Sequence, residues 1–118
     1  MVDVAFERRG RVALVTLSGE VDMSNAPSVR QRIADSVTPD DTALVVDLSP
    51  LSFIDSAGLH ALIELSTVLE EKRQRLLLCV PPDQPIARVI EIVGMPRSVS
   101  VHHDLDSALE AAGEKAER

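Results

Sequence analysis

Aromatic residues are almost absent from this chain, which has no Trp or Tyr and only Phe6 and Phe53 among 118 residues. A core must therefore be assembled from Val, Leu, Ile and Ala, in a chain that is 45% hydrophobic overall. The same shortage removes the stacking platforms on which single-stranded nucleic acid is held. Basic clusters are few and short, Arg8-Arg9-Gly10-Arg11 and Lys72-Arg73-Gln74-Arg75, in a chain of formal net charge −7. Counterion release has no large cationic face to act through, so direct nucleic-acid binding is not expected.

No apolar run approaches the ~18 residues of a membrane span, and an acidic surface repels anionic head groups, so membrane insertion is not expected. The N-terminus, MVDVAFERRG, lacks a basic segment followed by an apolar one, which argues against a signal peptide. The single cysteine, Cys79, cannot form an internal disulfide. A cytoplasmic location is the expectation from both features.

Several kinds of chemistry lack their residues. The five glycines are scattered and no G-x-x-x-x-G-K-[ST] run occurs. His102 and His103 are adjacent, so in a strand they point to opposite faces, and with His60 they make no metal set. Ser56 sits in Ile54-Asp55-Ser56-Ala57-Gly58, without the first glycine of a nucleophile elbow and with no histidine assignable as its base. Cys79 lies in the apolar run LLLCV, where a buried thiol is expected rather than a reactive one. Asp22 and Asp55 could be arranged as an acid/base pair, but turn and cap roles account for both. No enzyme, metal or cofactor is expected.

What is present is a regular alternation of apolar strands with amphipathic helices. VDVAFERR alternates, with Val2, Val4 and Phe6 on one face, and the Arg9-Gly10 corner predicts a hairpin into the nearly continuous apolar run RVALVTLSGEV. SNAPSVRQRIADSV has Ser24 or Asn25 to cap and Pro27 in a first turn, with Val29, Ile33 and Val37 at helical spacing. TALVVDLS reads as a buried strand. SFIDSAGLHALIEL then enters a helix with Leu59, Leu62, Ile63, Ser66 and Leu69 on one stripe, followed by the cations at 72–75.

LLLCV is a further buried strand, stopped by Pro81-Pro82. DQPIARVIEIVGM predicts a helix with Ile86, Val89, Ile90 and Val93 at i, i+3, i+4 and i+7, ended by Gly94. SVSVHH is a last short strand. DLDSALEAAGEKAER is a final helix capped by Asp104, with Leu105, Ala108, Leu109 and Ala112 inward. The order β-β-α-β-α-β-α-β-α predicts one α/β domain spanning 1–118, in which a mostly parallel β-sheet gains an antiparallel edge strand from the N-terminal hairpin and about four helices pack on one or both faces. The tail after about residue 112 is expected to fray.

In open α/β sheets, sites gather beyond the carboxyl ends of strands, and two polar loops fall there: GEVDMSN and SPLSFIDSAG. They also carry a resemblance. VVDLSPLSFIDSAGLHALIEL, preceded by LSGEVDMSNAPSVRQRI, resembles bacterial anti-sigma factor antagonists of the STAS domain family across the whole chain. Its most specific parts are Asp55-Ser56-Ala57-Gly58-Leu59 and Gly19-Glu20-Val21-Asp22.

The resemblance implies an anti-sigma factor antagonist, a regulatory binding module. Ser56 would be phosphorylated by a partner that is both anti-sigma factor and serine kinase. The unmodified form would bind that partner and release the sigma factor, and a serine phosphatase would restore it. Where many members have a second serine this chain has Ala57, which leaves Ser56 as the single phosphorylation site of the block. Asp22, Met23, Ser24, Phe53, Asp55, Ser56, Ala57 and Gly58 are the implied partner-binding residues. Read from the residues alone, Ser56 is also a candidate helix N-cap, Gly58 a close-approach position, and Met23 and Phe53 either contacts or buried anchors. The alternative is a STAS subunit of a transport or stress-sensing complex without a serine switch.

Overall fold

The computed structural model describes residues 1–116, with side-chain surroundings up to residue 113. The elements in chain order are β1 (Val2–Arg9), β2 (Val12–Val21), α1 (Ala26–Ser36), β3 (Ala43–Asp47), β4 (Leu51–Ile54), α2 (Ser56–Glu71), β5 (Arg75–Cys79), α3 (Pro85–Val93), β6 (Val99–His102) and α4 (Leu105–Ala116). The expected fraying beyond about residue 112 falls partly outside the described residues.

The strands form one sheet in the order β1-β2-β3-β5-β6, with β4 beside the far half of β2. Among the described residues only the β1–β2 pair is antiparallel, joined through Gly10 at φ +62° as the hairpin reading requires. The ladders β2–β3, β3–β5 and β5–β6 are parallel. Their strands are the nearly unbroken Val/Leu runs that burial on both faces demands, and Leu44, Val45, Val46, Leu77 and Leu78 are fully enclosed.

The helices are divided unequally. Val29 and Ile33 of α1, Leu59, Leu62 and Leu65 of α2, and Ile86 and Ile90 of α3 share one core with Val15, Leu17, Val46 and Leu78 of the sheet. On the opposite face Ala108 and Ala112 of α4 close over Val12, Leu14, Val45 and Leu77. Asp104 accepts from Ser107 N at 2.7 Å and so starts α4 in the way its position predicts. The stripe on α3 is narrower than its spacing suggests, because Val89 and Val93 remain exposed while Ile86 and Ile90 turn inward.

Strand β4 has no counterpart in the sequence reading, which leaves Leu51–Ile54 in a loop. It is four residues long, two of them exposed, and it follows the Ser49-Pro50 turn, so neither length nor alternation reveals it. Long-range pairing makes the strand: Gly19, Glu20 and Val21 register with Leu51, Phe53 and Ile54, with a bulge between Gly19 and Glu20. The bulge turns on Gly19 at φ +95°, where a Cβ would collide with the Met1 carbonyl. Gln84 straps the Ser49-Pro50 turn by donating to Ser49 O at 2.6 Å and Leu51 O at 2.8 Å.

Candidate functional site

Because Val21 and Ile54 are paired neighbours on parallel strands, the next residues, Asp22 and Asp55, leave the sheet side by side. The two polar loops singled out from the sequence thus become one surface. A hydrogen bond from Asp55 N to Val21 O, 3.2 Å, continues the ladder to the corner where α2 begins.

Asp55, not Ser56, caps α2. Its Oδ1 accepts from Gly58 N at 3.0 Å with extended backbone at φ −104°, ψ −173°. Its Oδ2 accepts from Met23 N at 3.2 Å, tying the loop after β2 to the start of the helix. This replaces the N-cap reading of Ser56, for which the aspartate one residue earlier is the better placed acceptor. Ser56 is the first helical residue and is exposed. Its hydroxyl has no partner among the described residues, and the N–H groups of Ser56 and Ala57 point out of the helix start without acceptors there.

Asp22 is committed locally. Its Oδ1 accepts from Ser24 N at 2.9 Å and Ser24 Oγ at 2.5 Å, and these bonds, the hydroxyl's first, hold its carboxyl below the usual carboxylate range. Asn25 was a candidate helix cap, but its side chain works backward along the loop instead: Oδ1 accepts from Asp22 N at 2.9 Å and Nδ2 donates to Glu20 O at 3.0 Å. With both carboxylates occupied as acceptors of backbone and hydroxyl protons, the bland reading of Asp22 and Asp55 as turn and cap residues matches the geometry.

Of the remaining candidates, Met23 is 77% exposed and Phe53 48% exposed, so neither is a buried loop anchor. Ala57 is half-buried against the core. Gly58 is buried, and a Cβ there would lie 2.6 Å from Ile54 Cγ1 and 3.0 Å from Val21 Cγ1. Its missing side chain lets α2 settle onto the ends of β2 and β4, which places the serine corner at its height above the sheet.

The structure adds residues that the loop motifs do not include. A groove of about 320 Å³ runs between α1 and α2 beside the corner and is lined in part by Met23, Arg30, Ala57, His60 and Glu64. Glu64 lies 3.6 Å from Arg30 Nε and 3.5 Å from His60 Nε2. The sequence signal for His60 is its position four residues after Ser56, one helical turn along the same face. Arg30 and Glu64 have no such local signal, since only the packing of α1 on α2 brings them together.

Cys79 is fully buried, and burial chiefly pushes its thiol up to about 11. The expectation of an unreactive cysteine agrees with this. Among the described residues no three His, Cys, Asp or Glu side chains gather as metal ligands, and no helix is long and apolar enough to cross a membrane.

Comparison with known proteins places this geometry. The STAS domain model matches residues 3–108. The anti-sigma-F factor antagonist RsfB of Mycobacterium tuberculosis is 29% identical over 98 residues, covering 83% of this chain and 79% of that protein. A crystal structure of an anti-sigma factor antagonist from Mycobacterium paratuberculosis superposes with a TM-score of 0.79 at 30% identity, over 96% of this chain and 95% of that one. The anti-sigma factor antagonist SpoIIAA in its unphosphorylated form has the same fold, with a TM-score of 0.69 at 20% identity over 98% of each chain. From the first hairpin to the last helix, the chain belongs to the STAS domain family.

Proposed function

We propose that this protein is an anti-sigma factor antagonist whose binding surface is switched off by phosphorylation of Ser56. On this reading, residues 1–118 are a single STAS domain acting in the cytoplasm as a binding module rather than an enzyme. The unmodified surface around Asp22, Met23, Ser24, Phe53, Asp55, Ser56, Ala57 and Gly58 engages an anti-sigma factor that is also a serine kinase. A serine phosphatase reverses the mark. The names of the relatives support the antagonist role, and the free Ser56 hydroxyl at the head of α2 is the observation that carries the switch.

The physics of that position favours a phosphate. Because Asp55 already caps the helix, Ser56 can be modified without removing a structural bond, and the open N–H groups and helix dipole accept the new charge. The fold tolerates the mark, while a partner meets about −1.5 to −2 added charges beside Asp22 and Asp55. At about 5 Å and an effective dielectric of 20 to 80, each unit pair between the phosphate and a partner carboxylate is worth roughly 1 to 3 kcal/mol, which is about fivefold to a hundredfold in affinity against an acidic patch.

Intact-mass measurement after incubation with ATP and the candidate kinases of its own cell tests the proposal, using wild type and Ser56→Ala. The expected result is one added phosphate that disappears in Ser56→Ala, together with loss of kinase binding in Ser56→Asp. If no kinase adds phosphate, or Ser56→Asp and Ser56→Ala bind equally well, the switch is refuted, and a constitutive STAS subunit of a larger complex becomes the better reading.

A further inference from the structure

Ser56, His60 and Glu64 follow one another at four-residue intervals on α2, so they form a single row, and all three are exposed. His60 stands in the middle of that row. Its Nε2 lies 3.5 Å from one oxygen of Glu64, while one turn in the other direction is the unpartnered Ser56 hydroxyl. Because helical side chains lean toward the N-terminus, the surface that His60 covers is the turn beginning at Ser56. Its side chain is 71% exposed, so packing does not hold the ring against Glu64.

Glu64 does not depend on His60 for a counter-charge. Arg30, across the groove on α1, places Nε 3.6 Å from the other oxygen of the same carboxylate. The imidazole is therefore free to leave Glu64 without stranding a charge. Arg30 is engaged at Glu64, two turns and roughly 12 Å of helical rise beyond Ser56. The remaining charged groups at the corner are acids whose oxygens already accept protons: Asp55 from Gly58 N and Met23 N, Asp22 from Ser24 N and Oγ. Among the residues that line the groove, the side chains able to carry positive charge are Arg30 and His60.

We propose that His60 is the intramolecular partner of the Ser56 phosphate. Once the mark is added, the imidazolium leaves Glu64 to Arg30 and holds the phosphate back along α2, at the mouth of the groove beside Ala57. This rests on Ser56 being the phosphorylated residue. His60 is a positioning residue, acting on the mark and not on its transfer. Histidine and phosphoserine ordinarily titrate within about a unit of each other, near 6.5 and 6, so the clamp depends on pH. Imidazolium and dianion favour each other, and the phosphate therefore gains its second charge at a lower pH than it would without His60. Between the two titrations the pair carries a net charge of about −1, and above both about −2, so the electrostatic part of the switch strengthens toward alkaline pH.

Phosphorus NMR titration of the full chain with phosphoserine at position 56, installed during synthesis so that no kinase is needed, tests the clamp. The midpoint of the second phosphate ionisation should lie about half a unit or more lower in wild type than in His60→Ala. His60→Arg, which supplies a permanent cation, should keep it low, and Arg30→Gln should move it less than half as far as His60→Ala. Unchanged thermal unfolding would show that the variants fold. Equal midpoints in wild type and His60→Ala would overturn the proposal, as would a larger shift in Arg30→Gln, which would assign the phosphate to the other cation. Marking of Ser56 by cellular kinases is read separately, by intact mass, so failure of the clamp and failure of the switch are told apart.

Discussion

Removal of Asp55 is the most informative perturbation of the serine corner, because one carboxylate there holds both a helix start and a loop. In Asp55→Ala the bond from Gly58 N is lost, and a helix deprived of its cap residue loses ~1 kcal/mol. The bond from Met23 N is lost too; that N–H is on an exposed loop where water can replace the acceptor, so its net share is roughly 0.5–1 kcal/mol. The sum, about 1.5–2 kcal/mol, corresponds to a fall in Tm of roughly 5–10 °C for a chain of this length. Asp55→Asn keeps an oxygen facing Gly58 N, and Asn caps as well as Asp, so it should retain more than half of the lost stability. Urea unfolding of the three proteins gives the free energies, with an unchanged m-value as the sign that only the native contacts were altered. If Asp55→Ala cost less than about 0.5 kcal/mol, or Asn were as damaging as Ala, the capping account of the corner would be refuted. A large loss of partner affinity in Asp55→Asn without loss of stability would instead assign the carboxylate a direct contact.

Gly58→Ala should destabilise the fold by about 1–2 kcal/mol although alanine is the better helix former, because its Cβ would enter the space held by Ile54 and Val21; a stabilised variant in urea unfolding would contradict that packing. The Asp41 carboxyl, buried and bonded by Arg8 at 3.0 and 2.7 Å, is held below its usual range chiefly by that guanidinium. Its contribution is fully present above the unfolded value near 4 and is lost as pH falls through the lower folded value, so Arg8→Met should flatten the acid limb of a stability–pH curve below about pH 4. Cys79, raised to about 11 by burial, should resist iodoacetamide at pH 8 in the native protein and react only in urea, as followed by mass.

Much of the fold is legible in local chemistry. Each central strand is a short Val/Leu run with turn residues at its ends, and each helix shows a 3.6-residue stripe, so their order and the antiparallel first hairpin follow from periodicity. Local chemistry also put Asp22 and Ser56 on loops at strand ends. It did not reveal β4, a strand only because Gly19–Val21 extends past β3 and offers it a partner, and it left the cap open between Asp55 and Ser56, since both suit that role. Nor could it divide the helices, three on one face and α4 on the other, because that division depends on the crossover path of the chain.

The sequence by itself determined the order of the helices and of every strand but β4, the apolar core, and the presence of an aspartate-serine corner, since these depend on neighbours within a few residues. The tertiary structure decided that Asp22 and Asp55 emerge side by side, that Asp55 is spent on two backbone N–H groups while the Ser56 hydroxyl stays free, and that β6 is left as an open, uncharged edge. Those outcomes rest on pairing between residues some thirty positions apart, and no local pattern encodes which strands will meet.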